Sequence, residues 1–167
     1  DRCVKAVQPY AAVGGATEDG KVEHYNTWTA ATLLEDLNAG PVTLVDVGSL
    51  RDPDDVAPGE VTSGTKAEQL AAIDTRIGEV IAAGPNGAED IVASLSDAGT
   101  SERLRLVIAR GPHFGPGVLV SGSTKQAGLA QLPDITATVL QSVGLPVPDA
   151  GRQPDPVHVE SRRTLRA

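Results

Sequence analysis

The chain has 167 residues, a formal net charge of −8, and only 2% aromatic residues beside 40% hydrophobic ones. That length is one domain's worth and long enough for a real core. So few aromatics mean a core of Val, Leu, Ile and Ala, which suits a parallel sheet covered by helices. The acidic balance argues against a nucleic-acid partner, which would need a basic surface, and against adsorption to anionic lipid.

The single cysteine, Cys3, lies close to the start and has no partner within the chain. It reads as a free thiol or as half of a bridge to something outside this sequence. Methionine is absent, so the chain reads as starting inside a longer natural protein. No apolar run reaches membrane-spanning length. Richness in Ala, Gly, Val, Pro, Asp and Arg points to a high-GC bacterial genome.

Taken in order, Val4 to Val7 reads as a short strand ending at Pro9, followed by a loop at Gly14-Gly15. Lys21 to Asn26 alternates and reads as a short edge strand, with His24 a solvated side chain. Thr27 to Asn38 reads as a helix capped by Thr27 or Thr29, with Leu33, Leu34 and Leu37 as its apolar face and Gly40-Pro41 as its stop. Val42 to Val47 is a near-continuous apolar strand of the kind buried on both faces. Asp46 interrupts it near the C-terminal end. A carboxylate there needs a partner. Neighbouring backbone N–H groups would serve, as would a ligand or metal at the sheet edge.

Arg51 to Thr62 is acidic and broken by Pro53 and Pro58, so it reads as a loop. The stretch from Gly64 to Arg110 organises the rest. A helix from about Thr65 to Ala83 carries Leu70, Ile73, Ile77 and Val80 or Ile81 at helical spacing, which predicts one buried stripe. Strands follow at Ile91 to Leu95 and at Leu104 to Ala109, separated by a turn containing Ser96-Asp97-Ala98-Gly99. A strand ending in such a turn is where open α/β sheets place their chemistry. Gly111 to Gly117 is a loop whose large side chains are His113 and Phe114. Val118 to Val120 is a short strand, and Ser121 to Gln126 is a polar loop without phosphate-loop spacing. Leu132 to Val143 reads as a helix with Asp134 as N-cap, closed by Gly144. Strands alternating with helices predict a mostly parallel sheet with right-handed crossovers. Residues 1–148 then form one α/β domain, and residues 149–167 a Pro-rich, basic linker or tail.

Three segments in this order carry a resemblance: LVDVGSL with Asp46, AAIDTRIGEVI through SDAG, and LPDITATVLQSVGLPVP. Together they resemble the C-terminal part of alkaline-phosphatase-superfamily domains of the sulfatase and phosphodiesterase type. The similarity is nearest to phosphatase-like extracytoplasmic domains of actinobacterial membrane proteins, and it covers about Val42 to Pro148. It implies a partial three-layer α/β/α domain, secreted or membrane-anchored. In active members a Ser-Asp-His-Gly strand end supplies Asp and His to a metal pair. Here Asp97 matches the Asp and Ala98 stands in place of the His. Asp46 matches another ligand Asp, but Gly48-Ser49 offers no His, and no segment matches the nucleophile strand.

The resemblance therefore implies a degenerate, non-catalytic domain acting as a structural or binding module, with Asp46, Asp97 and His113 as the candidate binding residues. No cofactor is expected unless an upstream half completes a divalent-metal site with Asp46 or Asp97, in which case the protein would be a metal-dependent phosphoester or sulfate-ester hydrolase. An incomplete sheet would leave an apolar face for the missing N-terminal segment or a homodimer partner. No direct membrane contact is expected from this segment.

Overall fold

The computed structural model describes residues 4–17, 19–50, 64–95, 103–147 and 154–161. The chain is mixed α/β and divides into two compact units, Asp1–Asn86 with Ser94–Leu106 and Gly87–Ala93 with Val107–Ala167. Among the described residues the sheets are small: one parallel sheet of three strands and two antiparallel pairs.

In the first unit the order is β1 (Val4–Val7), α1 (Pro9–Gly14), β2 (His24–Asn26), α2 (Ala30–Asn38), β3 (Val42–Val45) and α3 (Lys66–Ala83). The strands run parallel in the order β2-β1-β3, with Val7 level with Asn26 on one side and Val45 on the other. The short helix α1 was not foreseen, because Gly14-Gly15 read as a loop. Pro9 sits in its first turn, and the backbone N–H of Gly15 closes it on the carbonyls of Ala11 and Ala12. The α1 end touches Leu44 and Ala6 at Gly14 and Gly15. The alternate positions of the same strands, Lys5 and Thr43, face α2.

The α2 N-cap is Thr29, whose hydroxyl accepts the Thr32 N–H. Its expected apolar face is rotated, however. Leu33 is buried but Leu34 is 58% exposed, and Asp36, at 1% exposure, takes the inward position. The cause is Lys5. A lysine ammonium in the middle of β1 demands an anion, and the helix turns to supply one 3.2 Å away.

Helix α3 opens with a reciprocal cap. Thr65 Oγ1 accepts the Glu68 N–H, and Glu68 Oε2 accepts the Thr65 N–H. These contacts hold the Glu68 carboxyl below its usual range, the Thr65 N–H contributing first and its hydroxyl second. The predicted stripe is only half-covered: Ile73, Ile77, Val80 and Ile81 are half-buried, Leu70 is exposed, and no α3 residue is fully buried.

The second unit holds β4 (Asp90–Ala93), β5 (Val107–Arg110), β6 (Val118–Val120), α4 (Leu132–Ser142) and β7 (His158–Glu160). The sequence predicts these strands as members of one mostly parallel sheet, but they form antiparallel pairs. β4 runs antiparallel to β5, with Asp90 opposite Arg110, and β6 runs antiparallel to β7. Parallel neighbours need a crossover, usually a helix. No helix lies among the described residues between β4 and β5. The Arg110–Asp90 ion pair, 3.1 Å, ties the ladder at that register.

β7 lies within residues 149–167, which read as a tail of weak structure. Val157 is buried there and Val159 half-buried, and their alternation with polar neighbours gives the segment an inner face. The core of this unit combines Phe114, Val120, Ala137 and Val157 with the buried polar side chains Ser121, Asp134 and Thr138. Among the described residues no helix is long and apolar enough to cross a membrane.

Candidate functional site

Asp46 follows β3 directly, at the carboxyl end of the parallel sheet. Its N–H donates to the Val7 carbonyl at 3.0 Å, which places it beside the end of β1. The order β2-β1-β3 reverses direction between β1 and β3, and such a switch point is where open parallel sheets receive ligands. The strand was expected over Val42 to Val47 with Asp46 inside it; β3 ends one residue earlier, at Val45.

Its chemistry is local. Asp46 Oδ1 accepts the Gly48 N–H at 2.8 Å. Gly48 has φ 115°, a conformation that favours glycine. Arg76 of α3 donates through Nη1 to the Val47 carbonyl at 3.2 Å, so the turn after β3 is held from both sides. Of the two partners foreseen for Asp46, the structure supplies the backbone one.

Gln8, the first residue after β1, has φ 76° and ψ 155°. This region is nearly restricted to glycine, and a non-glycine residue held there costs on the order of 1–3 kcal/mol. Its N–H bonds the Asn26 carbonyl at 2.9 Å, and Pro9 further limits its freedom. Nothing in the sequence marked Gln8.

Asp97 and Ala98 lie outside the described residues, as do Cys3 and the loop from Arg51 to Thr62. His113 belongs to the second unit and Asp46 to the first. The His113 side chain is 82% exposed, and its Nδ1 meets the Glu89 carboxylate. Phe114, next to it, is buried and seats the loop. Among the described residues no group of three or more His, Cys, Asp or Glu side chains is placed to hold a metal ion. A two-metal centre needs several N and O ligands for each ion. Asp46, with one oxygen already on Gly48, and its described neighbours do not make such a set.

The densest polar arrangement is in the second unit, around Asp134. The sequence reading made this residue the N-cap of α4. It stands at the third helical position instead, with Gln131 as N-cap. Asp134 Oδ2 accepts the Gln131 N–H at 2.8 Å and the Ser123 hydroxyl at 2.6 Å, while Oδ1 accepts the Asp155 N–H at 3.2 Å. The Ser121 and Ser123 hydroxyls lie 3.0 Å apart. Burial alone would raise the Asp134 carboxyl. The hydrogen bonds from Ser123, the Gln131 N–H, Ser121 and the Asp155 N–H outweigh it and hold the group below its ordinary 3.8. These donors converge on the Asp134 carboxylate, so the network braces the start of α4 against the 121–124 turn and the segment at Asp155.

The direction of that shift fixes a pH dependence. A carboxyl depressed in the folded state contributes stability above its unfolded value and loses it as pH falls through the folded one. Hydrogen-exchange protection at the Asp155 and Val157 amides, taken against the intrinsic rate at each pH, is therefore expected to hold above the unfolded carboxyl's value of about 3.9 and to fall progressively as the pH drops through the lower, folded one. In Asp134→Asn this acid step is absent.

Comparison with protein-family models, with curated proteins and with solved structures returns no match, so fold and site geometry alone bear on function.

Proposed function

We propose that the chain is part of a phosphatase-like domain that acts as a binding or structural module and does not turn over an ester. The observation that carries this reading is Asp46. It occupies the ligand-receiving end of a parallel sheet, yet it is followed by Gly48-Ser49 where a histidine ligand would stand, and its Oδ1 is engaged by the Gly48 N–H. Ala98 after Asp97 repeats the substitution at the second expected ligand position. A carboxylate without imidazole neighbours is a poor nucleus for a catalytic metal pair.

The finer architecture belongs to the same proposal: a three-layer α/β/α domain with a mostly parallel sheet, placed outside the cytoplasm of a high-GC bacterium. The parallel β2-β1-β3 order and the contacts of α1 and α2 with alternate residues of β1 support it. In the first unit Leu34, Leu70, Leu95, Leu104 and Leu106 are exposed, Leu104 to 85%. Such apolar exposure on an acidic chain fits a face covered by a further segment of the same protein or by a second copy.

The deciding experiment uses the natural full-length protein, purified without chelator. Elemental mass spectrometry is expected to find no stoichiometric zinc, manganese or calcium, and phosphodiester or sulfate-ester hydrolysis is expected to stay at background with and without added metal. Near-stoichiometric metal, with metal-dependent hydrolysis that disappears in Asp97→Ala, would overturn this and establish the hydrolase, Asp46 and Asp97 being ligands completed by residues from elsewhere.

A further inference from the structure

The segment 154–161 sits on the second unit in a way unlike ordinary core packing. Its grip is mostly polar and comes from three places. Asp134 Oδ1 accepts the Asp155 N–H, and the Thr138 hydroxyl accepts the Val157 N–H at 2.9 Å. The Ser121 hydroxyl donates to the Asp155 carbonyl at 3.2 Å, and the Gly122 N–H donates to Asp155 Oδ2 at 2.8 Å. Beyond these, β7 adds to the edge of β6, Leu119 opposite Val159.

The sequence of the segment fits this seat position by position. Asp155 and Val157 give their N–H groups to the seat. The residues between and before them, Pro156 and Pro154, have no N–H to give and favour an extended backbone. Val157 is buried and is the apolar anchor.

The seat is shaped in return by two glycines flanking β6. A Cβ on Gly117 would overlap Glu160 and Val159, and a Cβ on Gly122 would overlap the Asp155 carboxylate. Neither glycine has a positive φ, so both are there for close approach. With the segment withdrawn, the β6 edge, Asp134 Oδ1 and Gly122 N–H would each lose a partner. The ladder is only three residues long, and short peripheral ladders open at low free energy.

We propose that β6, the 121–124 turn and α4 form a recognition groove for an extended peptide carrying an Asp-Pro-apolar sequence, occupied in the resting chain by its own residues 154–161. A partner's segment of the same chemistry adds antiparallel to β6 when the internal one is displaced. This is strand addition, in which main-chain hydrogen bonds supply affinity and the Asp and Val subsites supply selectivity. The inference does not rest on the phosphatase-like reading, because a catalytic domain would carry the groove equally well.

The test uses the whole chain and a fluorescent peptide with the sequence of residues 154–161. In the wild type the tethered segment competes at high effective concentration, so the peptide binds weakly. Val157→Asp ejects the tethered segment, and the peptide then binds about tenfold tighter or more. A peptide carrying Ala at Asp155 and Asp at Val157 does not bind. Adding Gly117→Ala to the chain, whose Cβ would meet the backbone carbonyl of residue 160 and which leaves every polar group of the seat in place, abolishes binding. Circular dichroism confirms that each variant is folded. No saturable binding to folded Val157→Asp, or binding indifferent to Gly117→Ala, overturns the proposal. If Val157→Asp does not fold, hydrogen exchange on the unaltered chain decides. Excess peptide is expected to speed exchange at residues 158–160 while 118–120 stay protected. Unchanged exchange at 158–160 overturns it.

Discussion

Replacing Asp36 by Ala is expected to destabilise the first unit by about 3–5 kcal/mol, the cost of leaving a buried charge without its partner. Asp36 is 1% exposed, and it binds all three strands of the parallel sheet. Its Oδ1 takes Lys5 Nζ from β1 at 3.2 Å and Asn26 Nδ2 from β2 at 2.6 Å. Its backbone carbonyl takes the Thr43 hydroxyl from β3 at 3.2 Å. Only the first two contacts are lost in the alanine variant, and Lys5, with 14% of its side chain exposed, is then stranded. The companion variants give the claim its edge. Asp36→Asn keeps an acceptor without the charge and should fall between wild type and Ala. The pair Lys5→Met with Asp36→Leu should come close to wild type or exceed it. Asp36 Oδ2 is already buried without a partner among the described residues, so an apolar pair relieves a standing penalty. Urea titrations of these four proteins and of the Lys5→Met and Asp36→Leu single variants, read at constant slope, measure the coupling. A double variant as unstable as Asp36→Ala would mean that the cluster is needed for folding to this register and not merely tolerated.

That cluster also shows where sequence reasoning stops. The existence of β1, β3, α2, α3 and α4 was legible, because their apolar spacing and caps are local signals. Thr29 and Thr65 announce helix starts that the structure keeps. The rotation of α2 was not legible, because it depends on one lysine twenty-five or more residues earlier that sits, unremarked, in an otherwise apolar strand. A charged residue inside VKAV is the signal that could have prompted a search for a buried anion. The directions of the later strands were not legible, for a similar reason. Periodicity identifies a strand but not its neighbour, and the antiparallel β4–β5 pair has no helix among the described residues between its strands and has Asp90 facing Arg110.

The position of Asp46 was legible: it stood out as a carboxylate near the end of an apolar strand, and the structure puts it directly after β3, beside the sheet's switch point. The backbone strain at Gln8 has no sequence signature beyond the following proline. The role of residues 154–157 was hidden because prolines alternating with Asp and Val look like linker composition. Only the placement of Asp134, Thr138 and Gly122 turns that composition into a fitted strand.

Asp134→Ala is the second large effect expected, at about 2–4 kcal/mol in the second unit. The sum has two sources. Loss of the cap at the α4 start contributes about 1 kcal/mol, and stranding buried donors adds about 1–3 kcal/mol. Those donors are the Ser123 hydroxyl and the Asp155 N–H, both directed at this one carboxylate. Ser123→Ala removes the bond to the carboxylate and the contact with the Ser121 hydroxyl but leaves the carboxylate its Gln131 and Asp155 N–H bonds, so it should cost about 1 kcal/mol. The two variants should also differ in place. In Ser123→Ala, exchange at β7 stays near the wild-type rate, while in Asp134→Ala the amides of Asp155 and Val157 exchange almost as freely as in an unfolded peptide and α4 keeps most of its protection beyond the first turn. Equal costs for the two would mean that Asp134 acts only through Ser123. A large cost with β7 still protected would mean that Thr138 and the β6 ladder hold the segment without it, and the brace would then belong to the helix start alone.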